Sequence, residues 1–319
     1  MPKKVLITGI AGFAGSHLAE YLLSQKIQVS GIVKDDQIAN ISHLQKKIVL
    51  HRCDLLNPDK ILDVLEKIKP DVVFHLAGFT IPRLSYDAPE DVFRINVFGQ
   101  INIFEAIRNL KLQTKVLIVG SSEEYGIVKN PKRPVNEDEP LNPVSPYAVS
   151  KIAQDFSALA YFHTYGLPIV RIRPFPHLGP RLDERLAVSS FAKQIAQIEK
   201  GIQERVIKVG NLKAKRDFCD VRDMVYAYFL ASLRCQPGEV YNVGSGKSYS
   251  LLQILEILLS LAKVKIKIEE DQSLFRPIDV PEIICDSKKF QKAIGWRPKI
   301  KIEKTLKDTL DYWRGRIND

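Results

Sequence analysis

The chain has 319 residues, of which 45% are hydrophobic and 26% are charged, and its formal net charge is +10. This composition is typical of a globular protein with one large or two modest domains. The most apolar stretch, 251–264, is broken by Gln253, Glu256 and Ser260, so no run is long enough to span a bilayer. The basic residues are dispersed and form no nucleic-acid-binding module. We therefore expect neither a membrane nor a nucleic-acid partner.

Cysteines and histidines show no pattern typical of a metal or redox site. The four cysteines, at positions 53, 219, 235 and 285, are scattered, and the six histidines form no ligand cluster. We expect no metal, and reduced cysteines are typical of a cytoplasmic protein.

In the first half of the chain, short apolar runs alternate with helical patterns. This alternation predicts a parallel sheet with helices on both faces, with ligands at the carboxyl ends of the strands. The predicted strands are 3–8, 27–33, 47–51, 71–77, 115–121 and 167–175, and the predicted helices are 13–25, 58–68, 89–110 and 147–164.

A glycine-rich turn lies between the first predicted strand and the first predicted helix. It reads Gly9-Ile10-Ala11-Gly12-Phe13-Ala14-Gly15 and follows the apolar run Val5-Leu6-Ile7-Thr8. Glycines let the backbone approach a pyrophosphate, and the N-terminus of the following helix faces its negative charge. Strand, glycine turn and helix in this order predict a dinucleotide site.

Tyr147 and Lys151 are four residues apart at the start of a predicted helix, so their side chains lie on one helix face. An ammonium group beside a phenol favours the phenolate and lowers the tyrosine pKa, which makes the pair a tuned acid/base. Ser121, at the end of a predicted strand, adds a hydroxyl at the expected edge of the sheet. Tyr125 and Lys129 have the same spacing, but nearby glycine and proline predict a loop, so we set that pair aside.

After about residue 175 the pattern changes to that of a smaller lobe. Helices are predicted at 184–200, 221–234, 250–263, 287–294 and 304–316, and strands at 206–209, 239–243 and 264–269. The expected fold is α/β, with a Rossmann-type doubly wound parallel sheet and a smaller C-terminal α+β substrate lobe. The dinucleotide-binding domain would cover 1–175, with parts of 214–243 returning to it, and the lobe would cover 176–319.

With these features in place, the chain resembles the extended short-chain dehydrogenase/reductase family over essentially its whole length. Beyond the glycine turn and the Ser, Tyr and Lys residues, the resemblance rests on Asp54-Leu55, His75-Leu76-Ala77-Gly78 and Asn96-Val97-Phe98-Gly99. Asp54 could instead cap a helix, and Asn96 could be a structural hydrogen-bonding residue. A homodimer is a further expectation from the family. The cofactor contacts that the resemblance implies come from Gly9, Gly12, Phe13, Ala14, Gly15, Asp54, Leu55, Leu76, Ala77, Gly78, Asn96, Tyr147 and Lys151.

Two segments of the C-terminal half, 209–218 and 276–280, resemble those of GDP-mannose 4,6-dehydratases and GDP-4-keto-6-deoxy-mannose reductases. Arginine is suited to bidentate contact with phosphate, as a GDP-sugar substrate requires. The resemblance implies substrate contacts from Ser122, Pro176, Lys193, Asn211, Arg216 and Arg276.

The chain departs from these two families at two positions. They usually have Glu where this chain has Asp279, and an Asn that donates near the substrate phosphates where it has Pro176. Proline has no N–H and no polar side chain. We therefore expect either that His177 or a neighbour replaces this contact or that the affinity is reduced.

Two reactions fit the resemblance. In reduction, hydride goes to a C4 ketone, Tyr147 donates the proton, Lys151 tunes Tyr147 and holds the nicotinamide ribose, and Ser121 hydrogen-bonds the oxygen. In dehydration, C4 is first oxidised, a base removes the C5 proton, and water leaves from C6; the family's base corresponds to Glu123.

We favour NADPH-dependent reduction of GDP-4-keto-6-deoxy-D-mannose to GDP-D-rhamnose. The segment after the second strand is short, and Ser-Ser-Glu-Glu-Tyr-Gly at 121–126 is closer to the reductases. The alternatives are a GDP-mannose 4,6-dehydratase, another sugar-nucleotide epimerase or reductase, and a non-catalytic nucleotide-sugar-binding protein.

The end of the second predicted strand indicates which cofactor is used. An NAD site normally has a carboxylate there that binds the ribose 2′-OH. This chain has Val33 followed by Lys34, whose cation could meet a 2′-phosphate, although Asp35 and Asp36 would repel that phosphate if they pointed inward. We predict NADP(H), with NAD(H) as the alternative.

Overall fold

The computed structural model describes residues 1–317 of the chain. Its strands are β1 (Lys4–Thr8), β2 (Gln28–Val33), β3 (Val49–Arg52), β4 (Val72–His75), β5 (Lys115–Val119), β6 (Ile169–Pro174), β7 (His177–Leu178), β8 (Val206–Val209), β9 (Lys215–Asp217), β10 (Cys219–Asp220), β11 (Val240–Val243), β12 (Ser248–Ser250), β13 (Lys267–Glu270) and β14 (Glu282–Ile283). Its helices are α1 (Phe13–Ser24), α2 (Pro58–Ile68), α3 (Pro89–Phe93), α4 (Gly99–Asn109), α5 (Pro146–Tyr165), α6 (Ala187–Glu199), α7 (Val221–Arg234), α8 (Leu251–Ser260), α9 (Lys288–Ile294) and α10 (Ile302–Arg316).

A seven-stranded parallel sheet forms the centre of the structure. Its strand order is β11-β6-β5-β4-β1-β2-β3, and every neighbouring pair is parallel. The order reverses between β1 and β4, which is the position where open α/β sheets bind ligands. The predicted α/β Rossmann-type fold is confirmed.

The alternation of side chains along each strand builds a core on both faces of the sheet. In β1, Val5 and Ile7 belong to the core formed with α1, α7 and α9, whereas Leu6 belongs to the core formed with α2, α4 and α5. Since both faces are covered, the strands read as continuous apolar runs, as buried parallel strands do.

The C-terminal part of the chain contributes both to this sheet and to a separate core. β11 pairs with β6, and α7 packs against α1, so 221–243 lies on the sheet. α6, α8 and α10 form a third core, next to the small sheets β12-β9-β14 and β13-β8. The division into 1–175 and 176–319 stays a prediction, and the last two residues of the predicted lobe lie outside the described residues. None of the helices in residues 1–317 combines the length and apolar character needed to cross a membrane.

Several observed elements differ from the predicted ones, and three of these differences affect the arrangement of the sheets or of the cavity. The predicted helix 89–110 is divided by a π-helical turn, Arg94–Phe98, between α3 and α4. The predicted strand 264–269 begins only at Lys267, where pairing with β8 starts. β5 ends at Val119, so Ser121 does not end the strand; it is the N-cap of the short 3-10 turn Ser122–Tyr125.

Candidate active site

A cavity of about 910 Å³ lies at the carboxyl ends of the sheet strands. The turns after β1 to β6 line one side, and segments 182–188, 208–216 and 274–279 line the other. Among the predicted site residues, those that line it are Gly9, Gly12, Phe13, Ala14, Gly15, Lys34, Asp54, Leu55, Leu76, Ala77, Gly78, Ser121, Ser122, Glu123, Tyr147, Lys151, Pro176, Asn211, Arg216 and Arg276.

The glycine turn after β1 is packed too closely for larger residues. Gly9 has φ +69°, and a Cβ there would lie 2.8 Å from the backbone of Ala77. A Cβ on Gly15 would lie 2.2 Å from the carbonyl oxygen of Gly9. Gly12 is the N-cap of α1, with no side-chain cap and no acidic residue in the first turn. The unpaired N–H groups of this helix end are suited to hold a pyrophosphate.

Asn96 lies behind the cavity and does not line it. Its side-chain oxygen accepts a hydrogen bond from the Phe79 N–H at 2.7 Å, and its amide donates to Ser150 Oγ at 2.9 Å. These contacts link the segment after Gly78 to α5. They are the contacts of a structural hydrogen-bonding residue, which was the alternative to cofactor binding for Asn96. A direct contact between Asn96 and a cofactor stays a prediction.

α5 places Tyr147 and Lys151 beside the end of β5. The helix begins with Ser145 as N-cap, whose hydroxyl accepts from the Ala148 N–H at 3.1 Å. Lys151 Nζ donates to the Val119 carbonyl at 2.9 Å and lies 5.9 Å from the centre of the Tyr147 ring. Ser121, Tyr147 and Lys151 thus meet at one point of the cavity.

Burial controls the acidity of both titratable groups on α5. It raises the pKa of Tyr147 well above its usual range, and the hydrogen bond with Ser121 opposes this rise. It lowers the pKa of Lys151 to about 8, and the negative charge of Glu124 opposes that change. The expected net lowering of the Tyr147 pKa is therefore wrong in this structure, because the desolvation of the phenolate dominates. Tyr147 keeps its proton at neutral pH.

A capping box fixes the turn that carries Ser121. Ser121 Oγ accepts from the Glu123 N–H at 3.1 Å, and Glu124 Oε1 accepts from the Ser121 N–H at 2.7 Å. Ser121, Ser122 and Glu123 line the cavity, whereas Glu124 is completely buried. A serine hydroxyl can accept this bond and still donate its own proton.

Tyr125, whose spacing to Lys129 equals that of Tyr147 to Lys151, does not line the cavity. It is fully buried, its hydroxyl donates to Asn242 Oδ1 at 2.7 Å, and it accepts from Arg173 Nη1 at 3.1 Å. These contacts are those of a structural residue that links the turn to β6 and β11.

Two arginines of the C-terminal part face the cavity, each beside a carboxylate. Arg276 lies 3.2 Å from Glu123, and Arg216 lies 2.8 Å from Asp279. Asp279 also accepts from Asn211 Nδ2 at 2.8 Å. The carboxylates hold both guanidinium groups in place, where they could bind a diphosphate.

Lys193 lies outside the cavity lining. Its Nζ pairs with Glu184 at 2.6 Å and lies 5.6 Å from the centre of the Trp313 ring. Glu184 itself lines the cavity, so Lys193 reaches the site only through this carboxylate. Its contact with substrate stays a prediction.

Pro176 and His177 both line the cavity. The Pro176 carbonyl accepts from the Cys219 N–H at 3.0 Å, and the His177 ring stacks on Phe13 with 5.6 Å between ring centres. His177 Nδ1 lies 3.3 Å from the Phe175 carbonyl. Replacement of the missing Asn contact by His177 stays a prediction.

The ends of β2 and β3 carry a group of charges at the cavity rim. Lys34 Nζ lies 3.0 Å from Asp54, and Asp54 also accepts from the Leu56 N–H at 3.0 Å. Asp36 pairs with Arg52 and is thereby held by a cation. Asp54 does not cap α2, because the N-cap residue of that helix is Asn57.

Within residues 1–317, no three or more His, Cys, Asp or Glu side chains are grouped so as to hold a metal ion.

Comparison with known proteins assigns the chain to a family. The model of the GDP-mannose 4,6 dehydratase family matches residues 6–309. The chain belongs to this family. This membership confirms the predicted NAD(P)-dependent sugar-nucleotide oxidoreductase of the extended short-chain dehydrogenase/reductase type.

Both reductases and dehydratases are similar to this chain. The GDP-6-deoxy-D-mannose reductase of Pseudomonas aeruginosa is 30% identical over 319 residues, which cover 100% of each chain. The GDP-mannose 4,6 dehydratase 1 of Arabidopsis thaliana is 29% identical over 97% of this chain and 90% of its own. The structure of RMD from Pseudomonas aeruginosa complexed with NADPH has a TM-score of 0.87 and 30% identity, over 98% of this chain and 99% of its own.

Sequence reasoning missed two acidic residues of the site. Asp279 orients Arg216 and Asn211, but in the sequence it was only a departure from the usual Glu. Glu124 holds the Ser121 backbone, and the only signal was a second acidic residue in Ser-Ser-Glu-Glu-Tyr-Gly. The contacts of Asp279 join segments far apart in the chain. The contact of Glu124 depends on a turn that the apolar pattern does not reveal.

Proposed function

We propose that the protein reduces the C4 ketone of GDP-4-keto-6-deoxy-D-mannose to GDP-D-rhamnose, with NADPH as the reductant. The observation that carries this proposal is that the Tyr147 phenol and the Ser121 hydroxyl line one cavity in hydrogen-bonding contact, where they can act together on a sugar oxygen. Reduction needs a proton donor at this point, whereas dehydration begins with oxidation at C4, for which Tyr147 must start as a base. The similarity to a reductase over the whole of both chains supports the same reaction.

The residues divide the chemistry between them. A bound NADPH would supply the hydride for C4 of the sugar. Tyr147 gives its phenol proton to the C4 oxygen, and Ser121 donates a hydrogen bond to the same oxygen as negative charge develops there. The ammonium group of Lys151 holds the nicotinamide ribose and stabilises the phenolate that remains on Tyr147 until solvent returns the proton.

The GDP part of the substrate would be held by the C-terminal part of the chain. Arg216 and Arg276 are the cations for the diphosphate, and Asn211 lies next to Arg216 through Asp279. Ser122 and Pro176 line the sugar side of the cavity. Lys193 would have to leave Glu184 to take part.

NADPH rather than NADH is the proposed cofactor. Val33 ends β2 without a carboxylate for a ribose 2′-OH, and Lys34 lies at the cavity rim. Asp36 is neutralised by Arg52, which removes part of the repulsion expected from the two Asp residues after Lys34. The similarity to a structure that contains NADPH supports this assignment.

Dehydration of GDP-mannose is the second candidate. Glu123, the residue that corresponds to the base of that reaction, lines the cavity with its carboxylate 3.2 Å from Arg276. The similarity to dehydratases keeps this reaction open.

We also propose a homodimer and a cytoplasmic location. Val149 and Phe156 of α5 are 41% and 51% exposed, and a spacing of seven residues places them on one face of the helix. An exposed apolar face of this kind is suited to contact a second copy. The four cysteines are free, as is typical of a reducing compartment.

The cofactor proposal predicts a selective effect at Lys34. Lys34→Ala should lower kcat/KM for NADPH at least about tenfold, because it removes a charged partner of the 2′-phosphate, and should change kcat/KM for NADH little. Steady-state kinetics with both cofactors measures this, and Lys46→Ala, an exposed lysine away from the cavity, is the control. A wild-type protein that uses NADH more efficiently than NADPH would contradict the proposal.

Catalysis should depend on Tyr147 and not on Tyr125. Tyr147→Phe should reduce kcat by about 10²–10⁴-fold, the usual effect of losing a positioned general acid. Tyr125→Phe removes two buried hydrogen bonds outside the cavity lining, so it should lower the thermal midpoint and leave kcat nearly unchanged. If Tyr125→Phe were the more damaging change for kcat, the assignment of the active helix would be wrong.

Glu123→Gln should distinguish the two candidate reactions. Reduction requires no base at C5, so this variant should keep substantial reductase activity, measured as NADPH oxidation with the 4-keto-6-deoxy substrate. In a dehydratase the same change would remove the base and largely abolish turnover. Two results with the wild-type protein would overturn the reductase proposal: conversion of GDP-mannose to its 4-keto-6-deoxy form without added reductant, and purification with stoichiometric, non-exchanging NADP.

Phe156→Asp should convert the dimer to a monomer, because it places a charge in the centre of the proposed apolar contact. Light scattering on the purified protein measures the mass. Leu252→Asp, on a leucine of α8 that is 40% exposed, should leave the mass unchanged. A wild-type protein that is already monomeric, or a dimer that Phe156→Asp does not change, would exclude this interface.

A further inference from the structure

The carboxylate of Glu124 lies beneath the active site, and no step of the proposed reaction uses it. Its side chain is completely buried, and Oε1 accepts from the Ser121 N–H at 2.7 Å. A Cβ on Gly120 would lie 2.3 Å from the same oxygen, so the carboxylate is packed directly against the segment 119–121.

That segment is held at both ends. At one end, the Val119 carbonyl accepts a hydrogen bond from the Lys151 ammonium group at 2.9 Å. At the other end, the Ser121 N–H is held by Glu124, and the Ser121 hydroxyl is directed by its bond from the Glu123 N–H at 3.1 Å. Ser121 and Lys151 therefore reach Tyr147 from the two ends of one three-residue segment.

Glu124 is itself held from below by a buried ion network. Glu124 Oε2 lies 2.9 Å from Arg173 Nε, whose N–H is donated to Asp155 at 3.0 Å. Asp155 also accepts from Arg171 Nη1 at 2.9 Å. Arg171 and Arg173 thus face the carboxylates of Asp155 and Glu124. Of these two carboxylates, that of Glu124 also accepts from the Ser121 N–H.

We propose that Glu124 is a positioning residue for the reaction. Its carboxylate holds the segment 119–121, and through this segment it sets both the Ser121 hydroxyl and the ammonium group of Lys151. This inference rests on the roles proposed above for Ser121 and Lys151.

The charges around Lys151 give the proposal a specific pH signature. The groups that face Lys151 are Glu124 on the turn after β5, His75 on β4 and Tyr147 on the same helix. His75 is neutral, because burial and then the Lys151 charge lower its pKa to about 3, and Tyr147 is protonated. Glu124 is thus the group that supports the charge on Lys151 against burial. Removal of the Glu124 charge should lower the pKa of Lys151 further, so the ammonium form is lost at lower pH.

The charges around Glu124 come from three elements. Burial and the charge of Asp155 raise the pKa of Glu124, and Arg173 and Lys151 oppose this rise. Asp155 and Lys151 lie on α5, and Arg173 lies on β6. Burial is the largest influence and raises the pKa of Glu124 to about 8, so the carboxylate forms toward alkaline pH, the range in which Lys151 also titrates.

Glu124→Gln tests the charge and Glu124→Ala tests the contact with Ser121. In Glu124→Gln the amide oxygen can still accept from the Ser121 N–H, so kcat at the optimal pH should stay near that of the wild type. The alkaline fall of NADPH affinity and of kcat should move to lower pH by about one unit, the lower end of the effect of a nearby opposite charge. In Glu124→Ala kcat should fall about 10²-fold with little change in KM for the sugar, as expected for a misplaced catalytic group.

Asp155→Asn is the matched control. It removes a buried carboxylate partner from the same arginine, Arg173, but makes no contact with the segment 119–121. It should lower the thermal midpoint at least as much as Glu124→Gln and leave kcat near that of the wild type. Because the Asp155 charge raises the pKa of Glu124, its removal favours the Glu124 carboxylate and should not move the alkaline fall to lower pH. The proposal is overturned if the Glu124→Gln profile superimposes on that of the wild type, or if Asp155→Asn reproduces the shift.

NADPH affinity, measured from its fluorescence between pH 6 and 9.5, needs no sugar substrate. It therefore tests Glu124 even if the wild-type protein does not reduce the proposed ketone, a result that would reject the substrate and leave this inference standing. If Glu124→Ala does not fold, the NADPH profile of Glu124→Gln decides alone.

Discussion

The carboxyl ends of parallel strands meet at one edge of a sheet, and the whole active site depends on this constraint. The glycine turn after β1, the rim charges after β2 and β3, Gly78 after β4 and Ser121 after β5 all line one cavity. The glycine turn and the Tyr147 phenol come from segments far apart in the chain, and the sheet edge brings them to one cavity. The reversal of strand order between β1 and β4 opens the space in which these groups face one another.

Burial has the largest influence on the chemistry of the site. It raises the pKa of Tyr147 and lowers the pKa of Lys151, although both residues lie on one helix face. A lysine near a tyrosine is therefore no guarantee of a low tyrosine pKa, since desolvation of the phenolate acts in the opposite direction. For a reductase this balance is favourable, because the phenol must hold its proton until hydride arrives.

Charges in and below the cavity occur in opposed pairs. Arg216 faces Asp279 and Arg276 faces Glu123, so each guanidinium group is held in a fixed direction by a carboxylate. Beneath the turn, Arg173 lies between two buried carboxylates. A buried ion pair of this type contributes little net stability, because desolvation offsets its attraction. Its value here is one of position, since its members join β6, α5 and the turn that carries Ser121.

The sequence by itself determined the parallel sheet, the glycine turn after β1 and the Ser121, Tyr147 and Lys151 group, because apolar periodicity, glycine spacing and helical spacing are local properties of the chain. The sequence could not reveal that Asn96 ties a loop to α5, that Lys193 pairs with Glu184, or that burial reverses the expected pKa change of Tyr147. Only the tertiary structure decided these points. Each depends on which distant side chains become neighbours and on how much water they lose, and neither property is written in the spacing of residues along the chain.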